Sequence, residues 1–313
     1  MAHAKQTKAI QQMTVKQWEA AFPDEDACDA YLVAHRWPDG VRCPRCNSDR
    51  VYALQTRKWH WECPDCRHGG AYRFSDIAGT IFENTKVDLR QWFRVIHLML
   101  TGKKGTSALQ IMRYMGFGSY RTAWYMCNRV RAALAQDEFR KLIGIVEVDE
   151  TWVGGKKSNR HRDKRGRDSG PDDGGRSGSG KIPVVGAVER KGRVVARVIE
   201  RVDGRTLGRF INETVSTKVS LLAHDDWRGY QHLAAHPWFE HADGTVNHNQ
   251  GQYVVGAIHT QTIESFWSLI KRGVIGSYHK VSKKYLPLYV AEFQFRYNNR
   301  ANSDIFGAAI AGC

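Results

Sequence analysis

Two sets of residues in the sequence have the types and the spacing to do chemistry. One is cysteine: Cys43-x-x-Cys46 and, after 16 residues, Cys63-x-x-Cys66. Two turns that each offer two thiolates complete a tetrahedron around one Zn2+, and this spacing falls in the range of four-cysteine sites. Four cysteines leave no open coordination position, so the zinc expected here is structural, allowing about 35 residues to fold without a sizeable core. With Cys28, Cys127 and Cys313 the total is seven, an odd number with four in tight pairs, which suits metal rather than disulfides. The other set is acidic. Asp149 ends the apolar run of "IGIVEVDETWVGG", Asp225 follows "KVSLLA" with His224 between, and Glu264 sits in "HTQTIESFWSLIKRG". Three carboxylates brought together repel unless cations lie between them, and hard oxygen ligands suit Mg2+, with Mn2+ as a substitute. Two such ions activate the attacking oxygen and stabilise the leaving one at a phosphodiester.

Whether the carboxylates meet depends on the elements that carry them. Apolar runs bounded by turn residues predict strands over 143–149, 183–189, 193–199 and 219–223, the second and third joined by a turn at Lys191-Gly192. Helical periodicity predicts helices over 205–216 and 260–272. Three strands, a helix, a fourth strand and later a closing helix is the order of a ribonuclease-H-like α/β fold, a mixed sheet flanked by helices. There the first strand and the end of the fourth are neighbours and the closing helix packs across them, which brings Asp149, Asp225 and Glu264 together. Alternation on the first strand puts Glu147 and Asp149 on one face and Val146, Val148 and Glu150 on the other. Glu147 is then an auxiliary ligand or a solvated neighbour, and Glu150 a strand-end surface group. Asp225 is preferred to Asp226 because it comes first after the apolar run. Lys271, seven residues after Glu264, lies two turns along the same helical face, where it and Arg272 either hold a DNA phosphate or are simply solvated.

The residues ahead of this core read as modules that touch a polyanion. Residues 14–35 predict one or two short helices with Trp18, Phe22, Cys28, Tyr31 and Leu32 on the apolar side. From Asp88, Leu89, Trp92, Phe93, Ile96 and Leu100 recur at helical spacing, with His97 as a packed histidine among them. "GTSALQIMRYMGFGSYRTAWYMCNRVRAAL" then gives a short helix, a Gly-rich break and a longer helix, with Ser107 and Ser119 as N-caps, in the manner of a helix-turn-helix. Between residues 101 and 134 there are six basic side chains (Lys103, Lys104, Arg113, Arg121, Arg129, Arg131) and no acidic one, which favours groove binding over a plain connecting domain. The ribbon carries Arg42, Arg45, Arg50, Arg57, Lys58, Arg67 and Arg73 among Tyr52, Trp59 and Trp61, so DNA docking is compatible with its structural role. Residues 156–181, with nine basic and four acidic side chains, read as a flexible insertion, either a solvated linker or a basic arm drawn to phosphates.

Bulk properties agree. Net charge is +15, from 47 basic and 32 acidic side chains, with a sequence pI near 9.6, and 42% hydrophobic content is enough for real cores. The sequence has no run near the roughly 18 apolar residues of a membrane span, and its polar start has no signal-peptide core, so the expected location is the cytoplasm, on the nucleoid when DNA is bound.

With these residues in hand, the chain resembles the DDE transposases of bacterial insertion sequences, the ISXO-like kind that begin with a zinc ribbon. The likeness runs from about Cys28 to Arg300 and rests on "RWPDGVRCPRC", "VEVDETWVGGK", "HDDWRGY", "VNHNQGQYV" and "IESFWSLIKRGVIGSYHKVSKKYLPLYVAEFQFRYNNR", together with the two cysteine pairs. It implies an Mg2+-dependent recombinase that nicks DNA at an element's terminal repeats and joins the freed 3' hydroxyl to target DNA. It maps the acidic triad onto Asp149, Asp225 and Glu264, and a dimer or larger homo-oligomer bridging two ends goes with it. The family often has an asparagine three residues before the glutamate, where this chain has Gln261. His248, in "VNH", lies near the site or serves packing, and Asn298 and Arg300 approach DNA or support the fold.

The division expected is therefore a helical arm over 1–36, a zinc ribbon over 37–76, a helix-turn-helix-like domain over 85–140 and a catalytic domain over 141–313 with the basic insertion at 156–181. Two other readings compete: a zinc-ribbon regulator whose core is inactive, and a simple ribonuclease-H-like nuclease. The triad in its predicted order argues against the first, and the modules before the core argue against the second.

Overall fold

The structure, a computed structural model, describes residues 14–66, 71–135, 140–154, 181–225, 243–246 and 260–313. These divide into two units, one formed by Met1–Asp137 with Asn299–Cys313 and the other by Glu138–Asn298. Arg67, Asp226, His248 and His259 lie outside the described residues, as does the basic insertion up to residue 180.

In the first unit, α1 (Val15–Ala21) starts from a capping box between Thr14 and Gln17, and α2 (Glu25–Arg36) from the Asp24 side chain. The helix α3 (Leu89–Thr101) has no side-chain cap from Asp88; the Glu25 carboxylate accepts from its Leu89 and Arg90 amides instead. Its apolar stripe, including Trp92, Phe93 and Ile96, is fully buried, and His97 packs beside Trp18 as the spacing suggests. The helices α4 (Ala108–Met115) and α5 (Tyr120–Leu134) begin at Ser107 and Ser119, which accept from the Gln110 and Arg121 amides at 3.2 Å each. Gly116, at φ +67°, supplies the left-handed residue that ends α4. Three short antiparallel strands, β1 (Tyr52–Ala53), β2 (His60–Cys63) and β3 (Tyr72–Ser75), form the ribbon.

The second unit is a five-stranded mixed sheet. Its strands are β4 (Leu142–Val153), β5 (Ile182–Glu189), β6 (Val194–Val198), β7 (Val215–Asp225) and β8 (Asp243–Val246), in the order β6-β5-β4-β7-β8. The pairs β4/β5 and β5/β6 are antiparallel, and β4/β7 and β7/β8 parallel. Lys191, at φ +60°, turns the β5–β6 hairpin. The helix α6 (Gly204–Thr214) buries Leu207, Phe210 and Ile211 against Leu142, Val146, Val148 and Leu222 on one face. On the other face Ile263, Phe266, Trp267 and Ile270 of α7 (Gln261–Gly273) pack with Leu286, Val290 and Phe293 of α8 (Leu286–Asn298). Full burial of each such side chain contributes about 1.5–3 kcal/mol, so this layer holds α7 to the sheet. The edge strand β6 is covered: Gln294 accepts from the Ala196 amide, and Asn298 both accepts from the Val194 amide and donates to its carbonyl. Asn298 thus supports the fold.

Two expectations are corrected. The sequence reading carries the catalytic domain through residue 313, but α9 (Ile305–Ala311) belongs to the first unit. Its Phe306 ring sits 5.3 Å from Phe93 and 5.7 Å from both Phe22 and Tyr31, an aromatic cluster that fixes the C-terminal residues on α2 and α3. Glu150 is not at a strand end, because β4 continues to Val153; it pairs with Val185 and is half-buried.

Candidate active site and zinc centre

Glu147 and Asp149 occupy one face of β4, and α7 crosses that face. Glu147 is completely buried. One of its oxygens accepts from the Arg190 guanidinium at 2.7 Å and the Thr262 hydroxyl at 2.8 Å; the other accepts from the Thr262 and Ile263 amides at 2.7 and 3.1 Å. Those amides belong to the first turn of α7, where backbone donors have no intrahelical acceptor and the helix dipole is positive. Glu147 therefore caps α7 from a neighbouring strand. That corrects the reading of it as a solvated neighbour: its two oxygens accept four hydrogen bonds that position the helix.

The cap fixes the register of α7 on the sheet. Trp267, on the buried side, donates its indole N–H to Asp149 Oδ2 at 3.0 Å. It reaches across β5 because residue 186, paired with Asp149, is glycine: a Cβ there would stand 2.6 Å from the Trp267 ring. Glu264 sits on the exposed side of the same helix, where its Oε1 accepts from the Thr260 hydroxyl at 3.1 Å. Parallel pairing runs as far as Glu147 against Ala223; Asp149 lies two residues further along β4, and Asp225 two residues further along β7, at its end. The backbone of Asp225 is described there; its side chain lies outside the described residues. Lys271 and Arg272 are exposed in the last turn of α7, and Gln261 is exposed at its first residue.

Sequence reasoning missed Trp267, Arg190, Thr262 and Gly186. Tryptophan in an amphipathic helix reads as core, which Trp267 also is, at 3% exposure. The available signal was its spacing, three residues after Glu264.

The four ribbon sulfurs all lie within 4.8 Å of one another, with Cys43–Cys66 and Cys46–Cys63 each at 3.6 Å. Zn–S bonds of about 2.3 Å in a tetrahedron give edges of about 3.8 Å, so the cluster fits one Zn2+. Trp37, Trp61, Phe74 and Tyr72 pack behind it. Of the remaining cations singled out, Lys103 and Lys104 are exposed in the loop before α4 and Arg121 is exposed at the start of α5. Arg129 is half-buried, donating to the Glu83 carbonyl and the Tyr125 hydroxyl, and lines a cleft of about 510 Å3 with Lys86 and Arg121.

Residues 141–298, just over half of the chain, match the profile of the ISXO2-like transposase domain, and residues 23–69 match the transposase zinc-ribbon domain. The chain belongs to the ISXO2-like transposases. Membership gives this family member a transposase role in an insertion sequence and a zinc ribbon whose cysteines are the cluster above. A relative in Halobacterium salinarum, an uncharacterized protein in transposable element ISH50, is 29% identical over 279 residues, covering 88% of this chain and 91% of its own. A chain of the cryo-EM structure of the simian T-cell lymphotropic virus intasome in complex with PP2A regulatory subunit B56 gamma aligns over 65% of each chain at 13% identity. Its TM-score of 0.28 is too low to carry an argument. Among the described residues, no helix is long and apolar enough to cross a membrane.

Proposed function

We propose that this ISXO2-like transposase cuts DNA at the terminal repeats of its element and joins the freed 3' hydroxyl to target DNA, with a ribonuclease-H-like second unit as the catalytic core. Asp149, Asp225 and Glu264 are the proposed ligands of two Mg2+ ions. The observation that supports this reading is the parallel β4/β7 register, which runs to Glu147 and Ala223, two residues before Asp149 and Asp225 on the two strands. The order β6-β5-β4-β7-β8, antiparallel then parallel, supports the fold assignment. The proposed donor set is all oxygen, which suits a hard divalent cation.

A divalent metal held by these carboxylates would supply Lewis acidity to phosphodiester chemistry. The protein's own groups do the positioning. Glu147 and Arg190 fix the start of α7, Trp267 holds one oxygen of Asp149, and Lys271 and Arg272 lie on α7 where they can bear on a phosphate next to Glu264. Arg121, with Lys103, Lys104 and Arg129, forms the proposed DNA contact of the first unit, α5 entering the major groove by its N-terminal end. Two or more copies bridging two element ends complete the proposed assembly, which acts on chromosomal DNA in the cytoplasm.

The test is purified protein with Mg2+ or Mn2+ on duplexes bearing the terminal repeats. Cleavage and joining are expected, and Asp149→Asn should stop both while end binding stays within about threefold. Cleavage that survives Asp149→Asn removes the site assignment; end binding without chemistry in either metal favours a regulator.

A further inference from the structure

Beyond Lys271 the helix α7 does not end in an ordinary cap. It runs into a π-helical turn, Val274–Tyr278, closed by His279 at φ +58°. Single π turns inside helices mark functional sites more often than chance allows. This one is anchored from its last residue: the Tyr278 hydroxyl donates to both oxygens of Glu292 at 3.0 and 3.2 Å, and Glu292, 1% exposed, pairs with Arg296 at 2.6 Å. The Tyr278 ring meets Tyr289 edge-on at 4.6 Å. While the turn's last residue is held in the core, Ile275 is left 73% exposed, the most exposed large hydrophobic side chain among the described residues.

A lone exposed isoleucine is ordinary on a protein surface. What surrounds this one is not. Lys271, Arg272, His279, Lys280, Lys283 and Lys284 are all exposed, and no acidic residue occurs between 265 and 291. Along α7, Glu264, Ser268 and Lys271 recur at intervals of four and three as one stripe, and Ile275 follows four residues on in the π turn. Ile275 is 11 residues beyond Glu264, about 16 Å at 1.5 Å per residue, or roughly five base steps along a strand.

We infer that the π turn presents Ile275 as a wedge that enters between base pairs within about five steps of the scissile phosphate, while the surrounding cations hold the backbone on either side. An apolar side chain inserted this way unstacks a base step, and the rigid Tyr278–Glu292–Arg296 anchor supplies the fixed backing that a wedge needs. The inference rests on the proposed strand-cleaving role of Glu264.

The experiment uses the full chain and terminal-repeat duplexes carrying 2-aminopurine at each of the five positions flanking the cut, first with Ca2+ and then with Mg2+. Wild type should raise 2-aminopurine fluorescence severalfold at one step. Ile275→Ala should abolish that rise with affinity held within about threefold, lower cleavage of paired duplex at least tenfold, and recover on DNA with a mismatch at that step; Ile275→Leu should behave as wild type. A full fluorescence rise with Ile275→Ala, or equal losses on paired and mismatched DNA, overturns the wedge. So does loss of self-association in sedimentation with unchanged fluorescence, which assigns Ile275 to a second copy of the chain. A fluorescence rise without cleavage in any divalent metal leaves the wedge standing and removes the catalytic reading instead; no rise in wild type removes the wedge.

Discussion

Trp267 is a side chain through which the packing of α7 and the candidate chemistry of β4 meet. Its ring fills the space that Gly186 leaves, and its N–H fixes one oxygen of Asp149. A hydrogen bond to a charged group contributes about 1.5–3 kcal/mol, so Trp267→Phe should lower strand cleavage roughly tenfold or more. The same variant should cost about 1–2 kcal/mol in urea unfolding, the residual cavity being small. Unchanged cleavage would deny the indole a part in the site. A different carboxyl group tests the first unit. Asp29, half-buried on α2, has its pKa pushed up to about 8, first by burial and then by Asp76 beside it, whose own pKa burial also raises. Because the folded value lies above the ordinary carboxylate one, the group binds its proton more tightly when folded. The favourable contribution is full below about pH 4 and is lost as pH rises through 8. Urea midpoints of the wild type should therefore fall between pH 6 and 9, and Asp29→Asn should flatten the fall. Parallel pH profiles for the two proteins would contradict this account.

At the scale of elements, the capping of α7 by Glu147 matters most, because α7 carries both Trp267 and Glu264. Removing the carboxylate leaves Arg190 and two amides without their buried acceptor, so Glu147→Ala should cost about 3–5 kcal/mol in urea unfolding. A cost under 1 kcal/mol would mean that the helix is held by packing alone. This element pair also shows where sequence reading stops. Apolar runs bounded by turn residues predicted β4 to β7, and helical periodicity α6, to within about four residues, because strands covered on both faces read as continuous apolar runs; β8 was not predicted. The mixed sheet flanked by helices was legible for the same reason. The role of Glu147 was not, since its partners Arg190 and Thr262 lie 43 and 115 residues away, and nothing local reports a cap offered by another element. The end of β4 was missed because Glu150 and Thr151 look like a polar stop, while pairing with β5 carries the strand to Val153.

Over the whole molecule, the zinc-binding module was legible in the sequence, because cysteine spacing is a local pattern. The return of α9 to the first unit was illegible, since its apolar residues gain meaning only against Phe22 and Phe93 far away in sequence. Net charge of +15 on a chain with a proposed site of three carboxylates makes sense if the positive surface holds DNA and divalent cations offset the acids. That joint claim is tested most directly by metal rescue at the second proposed ligand, Asp225. Asp225→Cys protein, assayed for cleavage of terminal-repeat DNA, should be inactive with Mg2+, which binds thiolate poorly, and should regain at least tenfold activity with the more thiophilic Mn2+. Full activity of Asp225→Cys in Mg2+ would contradict the account.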